Sequence, residues 1–264
     1  MEFLAVNLLQ AGYPDQVVLR EIRFELQAGQ FLAVCGRNGS GKSTLLRALL
    51  KLLPHLKGKI YLAGRDVFQL KAREIAALTA YVPQVTEPVF DFSVEEMVSM
   101  ARYFHQQIFF TRLSEADHEA VKEALFLTET DHLRHKSFNH LSSGEKQRVL
   151  IARALAQDSP LILLDEPSSH LDLNFQLQVY QLLRRLQKEK GKTILVTEHN
   201  LNLCLPYCDR LMFLKNGKIV ASGQPLEVVN KRVLQEVFDL EVELRENSST
   251  GLPEISLIHH RERD

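Results

Sequence analysis

The sequence predicts an α/β fold, and three observations predict it. Short apolar runs bounded by turn residues, "QFLAVCG", "PLILLDEP" and "KTILVTEH", have the character of buried strands. Amphipathic stretches with helical spacing alternate with them, the longest being "FQLQVYQLLRRLQKEKG", which ends at Gly191. A glycine-rich segment, "GRNGSGKST", joins the first of these strands to an apolar helix.

Taken in order, "FLAVNLL" and "VVLREIRFEL" alternate as strands do. "TLLRALLKLL" reads as a helix that Pro54 stops, "GKIYLAGRD" as a short strand between glycines, and "TAYVPQ" as another strand. From about residue 85 to 155 the pattern turns helical. Ser93 and Glu96 make a capping box before "MVSMARYF", and "SEADHEAVKEALFL" carries acidic residues in its first turn. From Leu141 the α/β alternation returns with "VLIARALAQD", and "RLMFLKNGKIVASG" is a hairpin turning at Asn216-Gly217. The expectation is one domain over residues 1–240, holding a helical subdomain at about 85–155. An extension over 241–264 is expected to be a short strand and a mobile tail.

Composition narrows the function. In 264 residues, 32 basic side chains stand against 33 acidic ones, so the chain has no basic footprint and no nucleic-acid partner is expected. No apolar run is long enough to span a membrane, and "MEFLAVNLLQ" lacks the basic start of a signal peptide, so the chain is expected in the cytosol. Cys35, Cys204 and Cys208 lack metal or redox spacing and read as buried thiols, and His259 and His260 read as solvated.

"GRNGSGKST" fits G-x-x-x-x-G-K-[ST] through Gly36, Gly41, Lys42 and Ser43, in the strand-to-helix context that the motif requires. The loop runs through Asn38, Gly39, Ser40 and Thr44, and its backbone N–H groups can converge on phosphate oxygens. Lys42 adds positive charge at the terminal phosphates, Ser43 offers a hydroxyl to Mg²⁺, and the following helix points its positive end at the anion. "LILLDEP" supplies the rest: Asp165 as a metal ligand and Glu166 as a general base for water. Alone, that pair would equally read as a strand end.

A second phosphate-like loop, "LSSGEKQ", lies about a hundred residues after the first. Ser142 and Glu145 satisfy the capping-box pattern, and a helix N-terminus is also an anion site, to which Gly144 would leave the approach open. In this order the motifs resemble the nucleotide-binding subunits of ATP-binding-cassette (ABC) transporters, over nearly the whole chain. The resemblance implies a P-loop NTPase fold of the ABC-ATPase type, with a mixed β core, an antiparallel β subdomain and a helical subdomain. It implies ATP and Mg²⁺ as ligands.

"LSSGEKQ" stands where that family has LSGGQ. This implies that Ser142, Ser143 and Gly144 contact the γ-phosphate of ATP held by a second copy. Ser143 replaces the family's first glycine and Glu145 its glutamine, and the Glu145 side chain is expected to turn back to the cap. By the same resemblance Tyr13 stacks on adenine, Gln84 reaches Mg²⁺ and the attacking water, Asp172 lies on a loop at the dimer interface, and His199 contacts the γ-phosphate. Implied partners are a second ATPase subunit, separate transmembrane permease subunits and, through them, an extracytoplasmic substrate-binding protein. The implied place is peripheral, on the cytoplasmic side of the inner membrane. "FSVEEMVSMARYFHQ", "SSHLD" and the tail look most like importers of iron–siderophore complexes, haem or cobalamin. Import of zinc or manganese, and a soluble ABC ATPase uncoupled from transport, stay open as alternatives.

Overall fold

The computed structural model describes residues 2–84, 88–105 and 113–258. Two long strands, β1 (Glu2–Tyr13) and β2 (Gln16–Gln27), lead into β3 (Phe31–Cys35), α1 (Lys42–Leu49), β4 (His55–Leu62) and the short β5 (Arg65–Asp66). Then come α2 (Ala72–Leu78), β6 (Thr79–Val82), α3 (Val94–Ser99), α4 (Glu115–Leu127), α5 (Ser143–Ala156), β7 (Leu161–Asp165), α6 (Leu173–Lys190) and β8 (Thr193–Glu198). The rest is α7 (Leu201–Cys204), β9 (Arg210–Lys215), β10 (Lys218–Gly223), α8 (Pro225–Val228), α9 (Lys231–Phe238), β11 (Val242–Glu246) and β12 (Pro253–Leu257).

The central sheet has the order β10-β9-β3-β8-β7-β6, parallel except for β10. A parallel sheet is stable only when both faces are covered, and the strand residues show this by alternation. Phe31, Ala33 and Cys35 of β3 face one core, with α3 to α6, while Leu32 and Val34 face the other, with α1 and the antiparallel sheet β2-β1-β4-β5. Ile162 and Leu164 of β7 divide from Leu161 and Leu163 in the same way. These runs are apolar throughout because neither face meets water.

The mixed core, antiparallel sheet and helical segment match the expected α/β architecture. Two local readings change. α1 ends at Leu49, before Pro54, because Lys51 takes a left-handed conformation at φ 57° and turns the chain first. Beyond residue 240 the chain forms two paired strands, β11 and β12, where one strand and a tail were expected. This hairpin is tied to α7, since Asn202 donates to the Ile255 carbonyl and accepts from the Ile255 N–H, each at 2.9 Å. The start of the helical region at 85–87 and the pair His259 and His260 lie outside the described residues. Among the described residues no helix is long and apolar enough to cross a membrane.

Candidate active site

The parallel strands end on one edge of the sheet, and the loops leaving β3, β6, β7 and β8 meet there. The loop after β3 reaches α1 through Gly41, whose φ of 107° caps the helix in a conformation that costs an L side chain dearly. Lys42 is almost wholly buried, and its ammonium donates to the carbonyls of Gly36 at 2.9 Å and Arg37 at 3.3 Å. Buried Ser40 Oγ has no hydrogen-bond partner among the described residues. A cleft of about 480 Å³ opens over this loop, with Asn38, Gly39, Ser43 and Thr44 in its wall, and Gln84 and Glu166 opposite.

β7 delivers the two acids in different states. Asp165 is 4% exposed and accepts from Ser43 Oγ at 3.0 Å and Thr197 Oγ1 at 2.7 Å, both on Oδ1, while the Tyr81 hydroxyl reaches Oδ2 at 3.4 Å. Burial, and then the charge of Asp165, pushes the Tyr81 phenol up to about 12, which keeps it a neutral donor. Glu166, the next residue, leaves the strand at φ 45°, a left-handed conformation that costs roughly 1–2 kcal/mol in a non-glycine residue. Its N–H donates to Thr197 Oγ1 at 3.0 Å, so a single buried hydroxyl fixes both acids.

The strained turn aims the Glu166 carboxylate into the cleft. Oε1 lies 3.2 Å from Lys42 Nζ, and Oε2 accepts from Gln84 Nε2 at 3.1 Å and sits 3.7 Å from His199 Nδ1. His199 is positioned from beneath by Glu198, which is fully buried. Glu198 Oε1 accepts from the backbone N–H of His199 at 2.8 Å and of Asn200 at 3.1 Å, and Oε2 accepts from the Tyr180 hydroxyl at 2.8 Å and from Ser168 Oγ. A buried carboxylate is tolerated because four donors replace its water.

The structure thus gathers Gly36 to Thr44, Gln84, Asp165, Glu166 and His199 around one cleft. Ser43, Asp165 and Gln84 together present a hydroxyl, a carboxylate and an amide oxygen, a hard donor set that fits Mg²⁺, which takes one or two carboxylate-type ligands beside phosphate and water. Tyr13 is not in the cleft wall; it lines an adjoining hollow that shares Gln16 with the cleft, and its hydroxyl accepts from Arg47 at 2.9 Å. Gln16 and Val18 of β2 do line the cleft, and no pattern in the sequence marks them.

The second loop lies elsewhere. Ser142 caps α5, with Glu145 Oε2 accepting from both the Ser142 N–H and its hydroxyl at 2.8 Å, so the carboxylate turns back as expected. That backbone hydrogen bond, then the hydroxyl one, holds the Glu145 carboxyl below the usual glutamate range. Gly144 is not an open approach, contrary to the reading from sequence. It is buried, and a Cβ there would lie 2.7 Å from the Phe175 ring. Asp172 caps α6 by accepting from the Phe175 N–H at 3.0 Å, so the starts of α5 and α6 are packed together through Phe175. Ser142 and Ser143 remain exposed on that face, outside the wall of their own phosphate-loop cleft.

The residues 19–169 match the family model of ABC transporters. The iron(3+)-hydroxamate import ATP-binding protein of Bacillus subtilis is 36% identical over 96% of this chain and 94% of its own length. The ferric enterobactin transport ATP-binding protein of Escherichia coli is 36% identical over 93% of this chain and 90% of its own length. An ABC transporter ATP-binding protein of unassigned role from Bacillus subtilis is 37% identical over 94% of the chain, which spans 56% of that longer relative. Among solved structures, a metal-chelate type ABC transporter in an inward-facing conformation superposes with a TM-score of 0.85 at 29% identity, covering 98% of each chain. A dimeric post-hydrolysis cassette bound to ADP and Pi superposes at 0.72 with 26% identity, over 84% of this chain and 98% of that one. A phosphate loop facing a strained, lysine-paired glutamate, a capped serine loop outside that cleft, and these likenesses together lead to one statement: the chain belongs to the ABC transporter family, as an ATP-binding cassette that hydrolyses ATP.

Proposed function

We propose that this chain is the ATPase subunit of an importer for a metal chelate, of the iron–siderophore, haem or cobalamin type. Two copies close around two ATP molecules to drive separate permease subunits fed by an extracytoplasmic binding protein, and the chain sits peripherally on the cytoplasmic face of the inner membrane. The observation that carries the chemistry is Glu166, turned into the cleft and held between Lys42 and Gln84. The cargo class rests on the names of the hydroxamate and enterobactin relatives.

The loop amides of Gly36 to Thr44 and Lys42 bind the phosphates, Lys42 exchanging its contact with Glu166 for the terminal phosphate. Glu166 accepts a proton from water as the water oxygen bonds to the γ-phosphorus and the bond to the β–γ bridging oxygen breaks. Gln84 orients the water and His199 the γ-phosphate, each within reach of Glu166. When bound, Mg²⁺ would be held by Ser43, Asp165 and Gln84 and would supply positive charge at the phosphate oxygens. Tyr13 beside Gln16 takes the adenine side.

Ser142, Ser143 and Asp172 are exposed and lie outside their own cleft, which supports their completing the site of a second copy. The test is reconstitution with the permease subunits of a hydroxamate-type importer and measurement of ATP hydrolysis. Stimulation by the iron-loaded binding protein is the expected result. Turnover indifferent to every loaded binding protein, with no permease retained on purification, would overturn the importer reading.

A further inference from the structure

A second polar cavity, of about 260 Å³, lies between the end of α4, α5 and α6, away from the nucleotide cleft. Arg148 of α5 and Arg185 of α6 both line it, with the amides of Gln178 and Gln181 beside them. Neither guanidinium forms an ion pair with any described residue. Arg185 Nη2 donates to the Leu127 carbonyl, and Arg148 lies over the Phe175 ring at 5.6 Å, a contact that satisfies charge but no N–H donor. Both Nε atoms and Gln178 Oε1 are buried without a hydrogen-bond partner among the described residues. Glu129 is the single acid among the described residues of the wall, and no ion pair joins it to either arginine there.

The two half-buried arginines line one open hollow with no direct ion pair among the described residues, and Glu129 in its wall and Glu145 near Arg148 offset their charge without satisfying the buried Nε donors. An oxyanion would satisfy them, because guanidinium forks match its oxygens and the glutamine amides can supply further donors. The volume suits a small ion or metabolite and not a second nucleotide. We propose that this cavity is a binding site for a phosphate group, carried by inorganic phosphate or a small phosphomonoester, distinct from the nucleotide cleft. The bound group links α5, the helix that starts at Ser142, to α6, the helix that starts after Asp172.

The test is thermal unfolding of the full chain titrated with inorganic phosphate, or with glycerol 3-phosphate, at constant ionic strength. It is run in the Lys42→Ala background, so that the nucleotide loop does not report. Should that variant fail to fold, wild-type chain saturated with ADP serves instead. At about ten times the dissociation constant the midpoint should rise by about 3–5 °C. Arg185→Gln should abolish this rise while keeping the stabilisation by ADP in an otherwise wild-type chain, and Arg148→Gln provides an independent removal of the same charge. The stronger of the two probes names the source of the phosphate group. No rise with either probe, or an equal rise in both arginine variants, would overturn the proposal.

Discussion

At the scale of residues, the account turns on Glu166 and the groups that hold it. Glu166→Gln removes the carboxylate held between Lys42 and Gln84 while keeping the side-chain shape beside Gln84. It should lower the hydrolysis rate by about 10²–10⁴ with ATP binding retained, as single-turnover and equilibrium-binding measurements would read. Thr197→Val keeps the shape of the side chain but removes the hydroxyl bonded to both Asp165 and the Glu166 N–H. It should cost about 1–3 kcal/mol in urea unfolding and reduce kcat more than it raises KM. The motif residues were legible in sequence because their spacing is local: loop, acid pair and capping box each fit within nine residues. Thr197, Glu198 and Phe175 were not, since Asp165, Glu166, Ser168, Tyr180 and Gly144, which they meet, lie well outside any local motif and only packing brings them together.

At the scale of elements, the start of α5 makes two separable predictions. Gly144→Ala drives a methyl into the Phe175 ring and should destabilise by about 1–3 kcal/mol, and Phe175→Leu in the same chain should recover part of the loss in denaturant unfolding. The Glu145 carboxyl has a pKa below its unfolded value, so its contribution to stability is present above the ordinary glutamate pKa and is lost as pH falls through the lowered one. Glu145→Gln should therefore lower stability at neutral pH, converge with the wild-type chain in acid, and so flatten the acid limb of the stability–pH curve. The element types were readable from periodicity, down to the Asn216-Gly217 turn, whose two residues take φ 49° and 74°. The β11–β12 hairpin was only half readable, as one short strand, because each five-residue strand offers just one short apolar alternation, Val242 with Leu244 and Ile255 with Leu257.

At the scale of the whole molecule, strand order and the two-core arrangement were beyond the reach of local pattern, since they depend on which runs pair. The resemblance supplied only the mixed core, the antiparallel sheet and the helical subdomain, with which the structure agrees. The separation of the second loop from its own cleft is the observation on which the proposed second copy rests. The most direct test is the solution mass of Glu166→Gln by light scattering with saturating ATP and Mg²⁺, where slow hydrolysis should hold the closed state. Twice the mass of one chain with ATP, and a single chain with ADP, is the predicted result. A single chain under both conditions, with ATP binding verified, would contradict it.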